Sequence, residues 1–164
     1  EDIQAIEDVM SAWHMGCNGG YDGIRTHKVD ELVELFSEDG SIDAGSVTAR
    51  AVPHGKAELR AYLEKFAGDG SLIPRAFQMT FNHVTKVDGD VATQRSEAIA
   101  MLVMRGEPVM NMGIYNNDFV RTGQGWKLRT IRLRLTVTIP VQAIVVTEDR
   151  PDFLDSGFEK TDVA

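Results

Sequence analysis

Val91-Ala-Thr-Gln-Arg-Ser-Glu-Ala-Ile-Ala-Met-Leu-Val-Met104 is the first of three long, alternating, β-rich stretches that close the chain; Val109 to Arg121 and Trp126 to Ile139 follow. Alternation of apolar and polar residues is the period of a pleated strand with one face on a core. The turns between them, Arg105-Gly-Glu-Pro108 and Thr122-Gly-Gln-Gly125, are short. An earlier strand, Phe77 to Val87, runs into Asp88-Gly89, a dipeptide suited to the positive φ angles of a tight hairpin. Short connections make sequential strands antiparallel, so this half of the chain predicts a mostly antiparallel meander.

Helical periods come before it. Ile3, Ile6, Val9, Met10 and Trp13 form an amphipathic stripe that ends near Gly16. Cys17-Asn-Gly-Gly-Tyr-Asp-Gly-Ile24 then reads as a glycine-rich loop. Val29, Leu32, Val33 and Phe36 give a second stripe, with Asp30 and Glu31 favourably placed in its first turn and Ser37-Glu-Asp-Gly40 as its stop. A short strand is expected at Ser41 to Ala44. A third helix runs from Gly55 through Leu59, Tyr62, Leu63 and Phe66 to Gly68. Helices first and a curved sheet after predict an α+β fold whose layers enclose a cup.

With 164 residues the chain is expected to form one domain over 1–140, with an extension at 141–164 that covers a neighbouring subunit or the cup's mouth. Lys and Arg number 17 against 25 Asp and Glu, a net charge of −8, and no basic run interrupts the acidity; this argues against a nucleic-acid surface. No apolar run approaches the roughly 20 residues of a membrane span. A single cysteine, Cys17, and no secretory pattern in the first residues point to a reducing cytoplasm. Neither a glycine-rich phosphate loop nor a metal-ligand His or Cys pair occurs, so no cofactor is expected.

The frame Leu35-Phe-Ser-Glu-Asp-Gly, His54-Gly-Lys-Ala-Glu-Leu59, Lys86-Val-Asp-Gly-Asp-Val-Ala92, Gly113-Ile-Tyr-Asn-Asn-Asp-Phe-Val-Arg121 and Gly125-Trp-Lys-Leu128 resembles the SnoaL-like branch of the nuclear transport factor 2-like superfamily. The resemblance implies a cone-shaped α+β barrel, three N-terminal helices on a curved sheet around an apolar pocket, commonly in homodimers or higher assemblies. It also implies proton-transfer chemistry without metal or cofactor; similar members include polyketide cyclases, ketosteroid isomerases, scytalone dehydratases and a dehydrochlorinase. Other members only bind ligands or act as scaffolds. Fold alone does not choose among them.

In the dehydratase and dehydrochlorinase branch an Asp near the end of helix one orients a His on the first long strand. The resemblance places Asn18 and Gln78 at those positions. Both are amides and cannot act as bases near neutral pH, but both can position a ligand. Candidates for relocated chemistry are His14 at the end of helix one, and Tyr21 and Asp22 in the glycine-rich loop, with His27 nearer the surface. Each has a plainer reading: a helix-end hydrogen bond for His14, a turn for Asp22, a capping role for His27. The isomerases' oxyanion-stabilising position falls on Asn117, which sends Asn111, Gly113, Tyr115 and Phe119 inward with it. Tyr115 and Asn117 then donate to a substrate oxygen or satisfy one another in the core.

The isomerases' base matches Ala44, while Asp43 is out of phase. Arg95 and Glu97 resemble the Arg-x-acid element of the epoxide hydrolases, or form an ion pair on the outer face. At least one of Arg129, Arg132 and Arg134 is expected to reach the pocket, whereas His54 reads as structural and His83 as facing away from Gln78. Trp13, Met15, Phe77, Met79, Met101, Met104 and Met112 are an apolar inventory suited to core and to a pocket for a flat molecule. Together these readings predict a cofactor-independent lyase or dehydratase for a hydrophobic, hydroxylated cyclic or aromatic molecule. Its proton is handled by Asp22 or His14, its oxygen by Tyr21 and Tyr115, and its position by Asn18, Gln78, Asn117, Trp13 and Phe119. The competing expectations are a non-catalytic binding or assembly module, and an isomerase or cyclase of the same fold.

Overall fold

The structure is a computed structural model and describes residues 1–19, 28–44, 52–68, 71–73, 75–104 and 106–141. In chain order the elements are α1 (Asp2–Cys17), α2 (Val29–Glu34), β1 (Phe36–Asp43), α3 (Gly55–Ala67), β2 (Arg75–Asp88), β3 (Val91–Met104), β4 (Glu107–Thr122) and β5 (Gly125–Pro140). The sheet order is β1-β5-β4-β3-β2; β1 runs parallel to β5 and every other pair is antiparallel. The helices fill the concave face of this curved sheet, giving a cone-shaped α+β fold. No helix among the described residues is long and apolar enough to cross a membrane.

On α1 the buried stripe is Ile6, Met10 and Trp13, continued by Cys17, while Ile3 lies outside it at 50% exposure. Helix one meets helix two closely at Gly16, where a Cβ would come within 2.7 Å of Leu32 Cδ2. Helix two is shorter than its apolar spacing implies. It ends at Glu34, and Phe36 opens β1 opposite Leu128, tied by the Leu128 N–H donating to Leu35 O at 2.9 Å. The Phe36 ring meets Trp13 edge to face at 5.7 Å, so burial against α1 and β5 overrides helical continuation. Ser37 to Gly40, expected as a helix stop, form the bulged part of β1 where the register jumps between Phe36 and Ser41.

The inner face explains where space remains. Towards the sheet's β2–β3 hairpin, Gln94 pairs with Asn117 and Ala92 with Phe119, Leu128 lies beside Phe119 on β5, and Ile6 and Met10 of α1 belong to the same buried core. Toward the other end the inward positions are small: Ala98 lies opposite Gly113, Ala100 opposite Asn111, and Ala76 is two strands along. Small side chains beneath α3 leave a hollow that the large ones close elsewhere.

The convex face departs from expectation. Phe77, Met79 and Met101 point outward and are 51%, 46% and 45% exposed; Met112 shares that face, opposite Val137. None of them lines the hollow, nor does Met15 on α1, which is 42% exposed. Arginine placement also differs: Arg132 binds Asp118 at 2.5 Å, Arg134 binds Asp43 at 2.7 Å and Arg129 reaches Asp39 at 3.3 Å, so none enters the hollow.

Candidate ligand site

The hollow has a volume of about 130 Å³ and lies between α1, α3 and the inner faces of β1 to β5. Its wall is mostly aliphatic, with polar atoms from Gln78, Asn111, Tyr115, Tyr62, Trp13 and Cys17. No Asp, Glu, His, Lys or Arg lines it among the described residues. An uncharged wall disfavours ions, which lose hydration without a partner there.

Tyr115 is 4% exposed, and burial first, with the electrostatic influence of the Cys17 sulfur second, pushes its phenol well above the usual tyrosine range. The neighbouring Trp13 indole opposes this shift, although its N–H meets no acceptor at hydrogen-bond geometry. A phenol held protonated in a dry wall is a donor, not a base. Asn111, 4% exposed, has an unpartnered Oδ1 and lines the same wall two strand positions below Gly113.

Asn18 is committed elsewhere. Its Nδ2 donates to Gln78 O at 2.9 Å and its Oδ1 accepts from the Gln78 N–H at 2.8 Å, clamping the end of α1 to the backbone of β2. The pair that resembles a catalytic Asp and His is therefore a side-chain-to-backbone tie, leaving only the Gln78 side chain for the hollow.

Asn117 and Phe119 point inward but lie in the filled core, both 1% exposed, and Asn117 Nδ2 donates to Met10 Sδ at 3.3 Å. Neither lines the hollow. Trp13 does, and its ring also braces Phe36. Tyr21, Asp22 and His27 lie outside the described residues.

His14 stands one layer behind the wall, 8% exposed, its ring edge-on to Tyr115 with centroids 5.7 Å apart. Desolvation first, and nearby His83 second, lower its pKa from 6.5 to about 4, so it is neutral at pH 7. Its Nε2 lies 3.1 Å from Thr80 Oγ1, and Thr80 Oγ1 lies 3.0 Å from His83 Nε2. His83 was expected to face away from Gln78. A bulge between Phe81 and Val84, with Asn82 at φ 55°, shifts the alternation by one and turns His83 to the Thr80 side. Asn82 itself, an Asn in a strand and tolerant of that left-handed conformation, was the available signal.

His54 precedes α3, and its backbone N–H donates to Glu58 at 2.9 Å, a structural role. Arg95 and Glu97 are exposed on the convex face, where Glu97 accepts from Asn82 at 2.8 Å. Ala44 is buried at the hollow's wall while Asp43 pairs with Arg134, as the alternation required.

A family model for the SnoaL-like domain matches residues 1–132. The chain belongs to the SnoaL-like domain family. An uncharacterized protein of Mycobacterium tuberculosis is 29% identical over 111 residues, covering 64% of this chain and 70% of that protein. Among solved structures, a Novosphingobium aromaticivorans protein provisionally named a scytalone dehydratase is 21% identical with a TM-score of 0.69, covering 88% of this chain and 90% of its own. A LinA-type hexachlorocyclohexane dehydrochlorinase from Novosphingobium barchaimii is 12% identical with a TM-score of 0.71, covering 87% and 92%. At such identities the structural likeness establishes the SnoaL-like chain's fold, not its reaction.

Proposed function

We propose that this SnoaL-like protein is a cofactor-independent lyase of the dehydratase type acting on a neutral, hydroxylated cyclic or aromatic molecule. The observation that carries the reading is the buried, uncharged hollow with the Tyr115 phenol in its wall. About 130 Å³ is the size range that admits one aromatic ring. In this reading the Tyr115 phenol donates a hydrogen bond to the departing oxygen, and Gln78 and Asn111 orient the ring. Asp22 removes the proton from the adjacent carbon and passes it to the departing hydroxyl, which leaves as water. The dehydratase and dehydrochlorinase names among the structural neighbours support the same reaction class.

A second reading, binding without turnover, is favoured by one specific observation. No carboxylate or imidazole lines the hollow among the described residues, and Asn18 is consumed by its clamp. Incubation with hydroxylated single-ring aromatic and cyclic compounds, followed by ultraviolet absorbance and mass, separates the two. Dehydration extends conjugation and removes water; binding changes neither. Loss of turnover in both Tyr115→Phe and Asp22→Asn supports the assignment, and full turnover in both refutes it.

A homo-oligomer belongs to the proposal as well. A second copy covering the convex face would bury Phe77, Met79 and Met101, an apolar patch of the kind that marks an interaction surface.

A further inference from the structure

We infer that His83, Thr80 and His14 form one proton-transfer chain between solvent and the layer behind the cavity wall. The chain is continuous: His83 is exposed, Thr80 Oγ1 lies 3.0 Å from its Nε2, and the same oxygen lies 3.1 Å from Nε2 of buried His14. Beyond His14 comes the ring of Tyr115, which lines the hollow. The arrangement exists only because of the bulge. Asn82 adopts φ 55°, an uncommon conformation for a non-glycine residue, and is held there by its hydrogen bond to Glu97. Without the extra residue, His83 would face the convex side.

A threonine hydroxyl has one proton to give and two lone pairs to offer, so the two imidazoles cannot both accept from it. His14 Nδ1 is buried without a partner. An orphaned buried N–H is rarer than an orphaned acceptor, which places the His14 proton on Nε2. His14 Nε2–H then donates to Thr80, Thr80 O–H donates to His83 Nε2, and His14 Nδ1 carries a bare lone pair. When an acid of the solvent, hydronium or a buffer acid, reaches Nδ1 and gives it a proton, the Nε2 proton moves to Thr80 Oγ1 and the Thr80 proton to His83. One proton enters, one bond shifts at each link, and the positive charge ends on the exposed imidazole instead of the core. Thr80 and His83 are positioning residues in this scheme, acting through His14. For its part in turnover the chain rests on the lyase reading; its existence does not.

The test uses the free protein, so it is decided independently of any substrate. Nitrogen NMR of imidazole-labelled protein identifies the His14 tautomer, and magnetisation exchange with water measures how fast its ring N–H is replaced. The expected result is a proton on Nε2 that exchanges readily despite burial. Thr80→Val and His83→Ala each slow that exchange about tenfold or more, and Thr80→Ser restores it. A hydrogen bond that is merely structural behaves oppositely, because removing Thr80 exposes the N–H and accelerates exchange. Unchanged or faster exchange in Thr80→Val and in His83→Ala, or a His14 proton resident on Nδ1, overturns the inference. Since His83 lies at the surface, His83→Ala keeps the test decisive even if the Thr80 variant folds poorly.

Discussion

Asn18→Asp restores the residue that the family resemblance places at the end of helix one, and the structure predicts that it weakens this chain. The wild-type amide gives Gln78 O a donor at 2.9 Å and takes the Gln78 N–H at 2.8 Å. A carboxylate keeps the second contact, strengthened by charge, and loses the first. The lost hydrogen bond is worth about 1 kcal/mol, and a carbonyl facing a carboxylate without a donor adds about 1–3 kcal/mol. Against a charge-assisted gain of about 1 kcal/mol, the net cost is about 2 kcal/mol at pH 7. For a chain of this length that lowers Tm by roughly 4–8 °C. The sign with pH follows from the contact. Facing Gln78 O raises the new carboxyl's folded pKa, so the loss is complete above that pKa and shrinks as acid protonates the group and restores an O–H donor. Thermal melts of both proteins from pH 7 to pH 4.5 read this directly. Equal Tm at pH 7, or a gap that widens towards acid, refutes the clamp as described.

Other outcomes follow from the same coordinates. Because desolvation holds folded His14 at about 4 against 6.5 in the open chain, stability is full above pH 6.5 and falls as pH drops towards 4, by up to about 3 kcal/mol; in His14→Gln this limb disappears from denaturant titrations. Asp2, held at about 2 by Arg121 first and Trp126 second, stabilises fully above its ordinary 3.8 and loses that contribution as pH falls through 2, so melts of Asp2→Asn flatten in that window. Gly40→Ala brings a Cβ to 2.7 Å from Phe36 Cβ and 2.9 Å from Ser37 O, and chemical denaturation should show a loss of about 1–3 kcal/mol. Phe77→Glu on the convex face leaves the fold unchanged by circular dichroism and lowers the mass seen by light scattering if a second copy covers that face; a mass equal to wild type counts against the oligomer.

The antiparallel succession of β2 to β5 was legible because the glycine turns act locally, although the first turn is Gly89-Asp90, with Asp88 still paired in β2; the parallel seat of β1 beside β5 was not legible, since no local signal sets it. Parity along β4 was legible for the same local reason: Asn111, Gly113, Tyr115, Asn117 and Phe119 do point inward. Depth was not. Whether an inward residue meets a hollow or a filled core depends on the strands beside it, and only the pairing of Ala98 with Gly113 shows where the small side chains coincide. Phe36 was hidden because it continues a helical spacing while its actual partners, Trp13 and Leu128, lie far away in sequence. His83 was hidden by a single extra residue that reverses every later side chain on β2. The methionines and arginines misled for another reason: apolar and charged residues on a convex face look like pocket residues until the curvature of the sheet is known.

The central claim, an uncharged hollow that takes a neutral ring, is tested most directly by calorimetric titration of the protein with phenol and with benzoate, similar in size and opposite in the property at issue. The predicted result is measurable binding of phenol, with benzoate at least about tenfold weaker because a carboxylate would lose its water without meeting a cation. Benzoate binding as tightly as phenol, or more tightly, would contradict it.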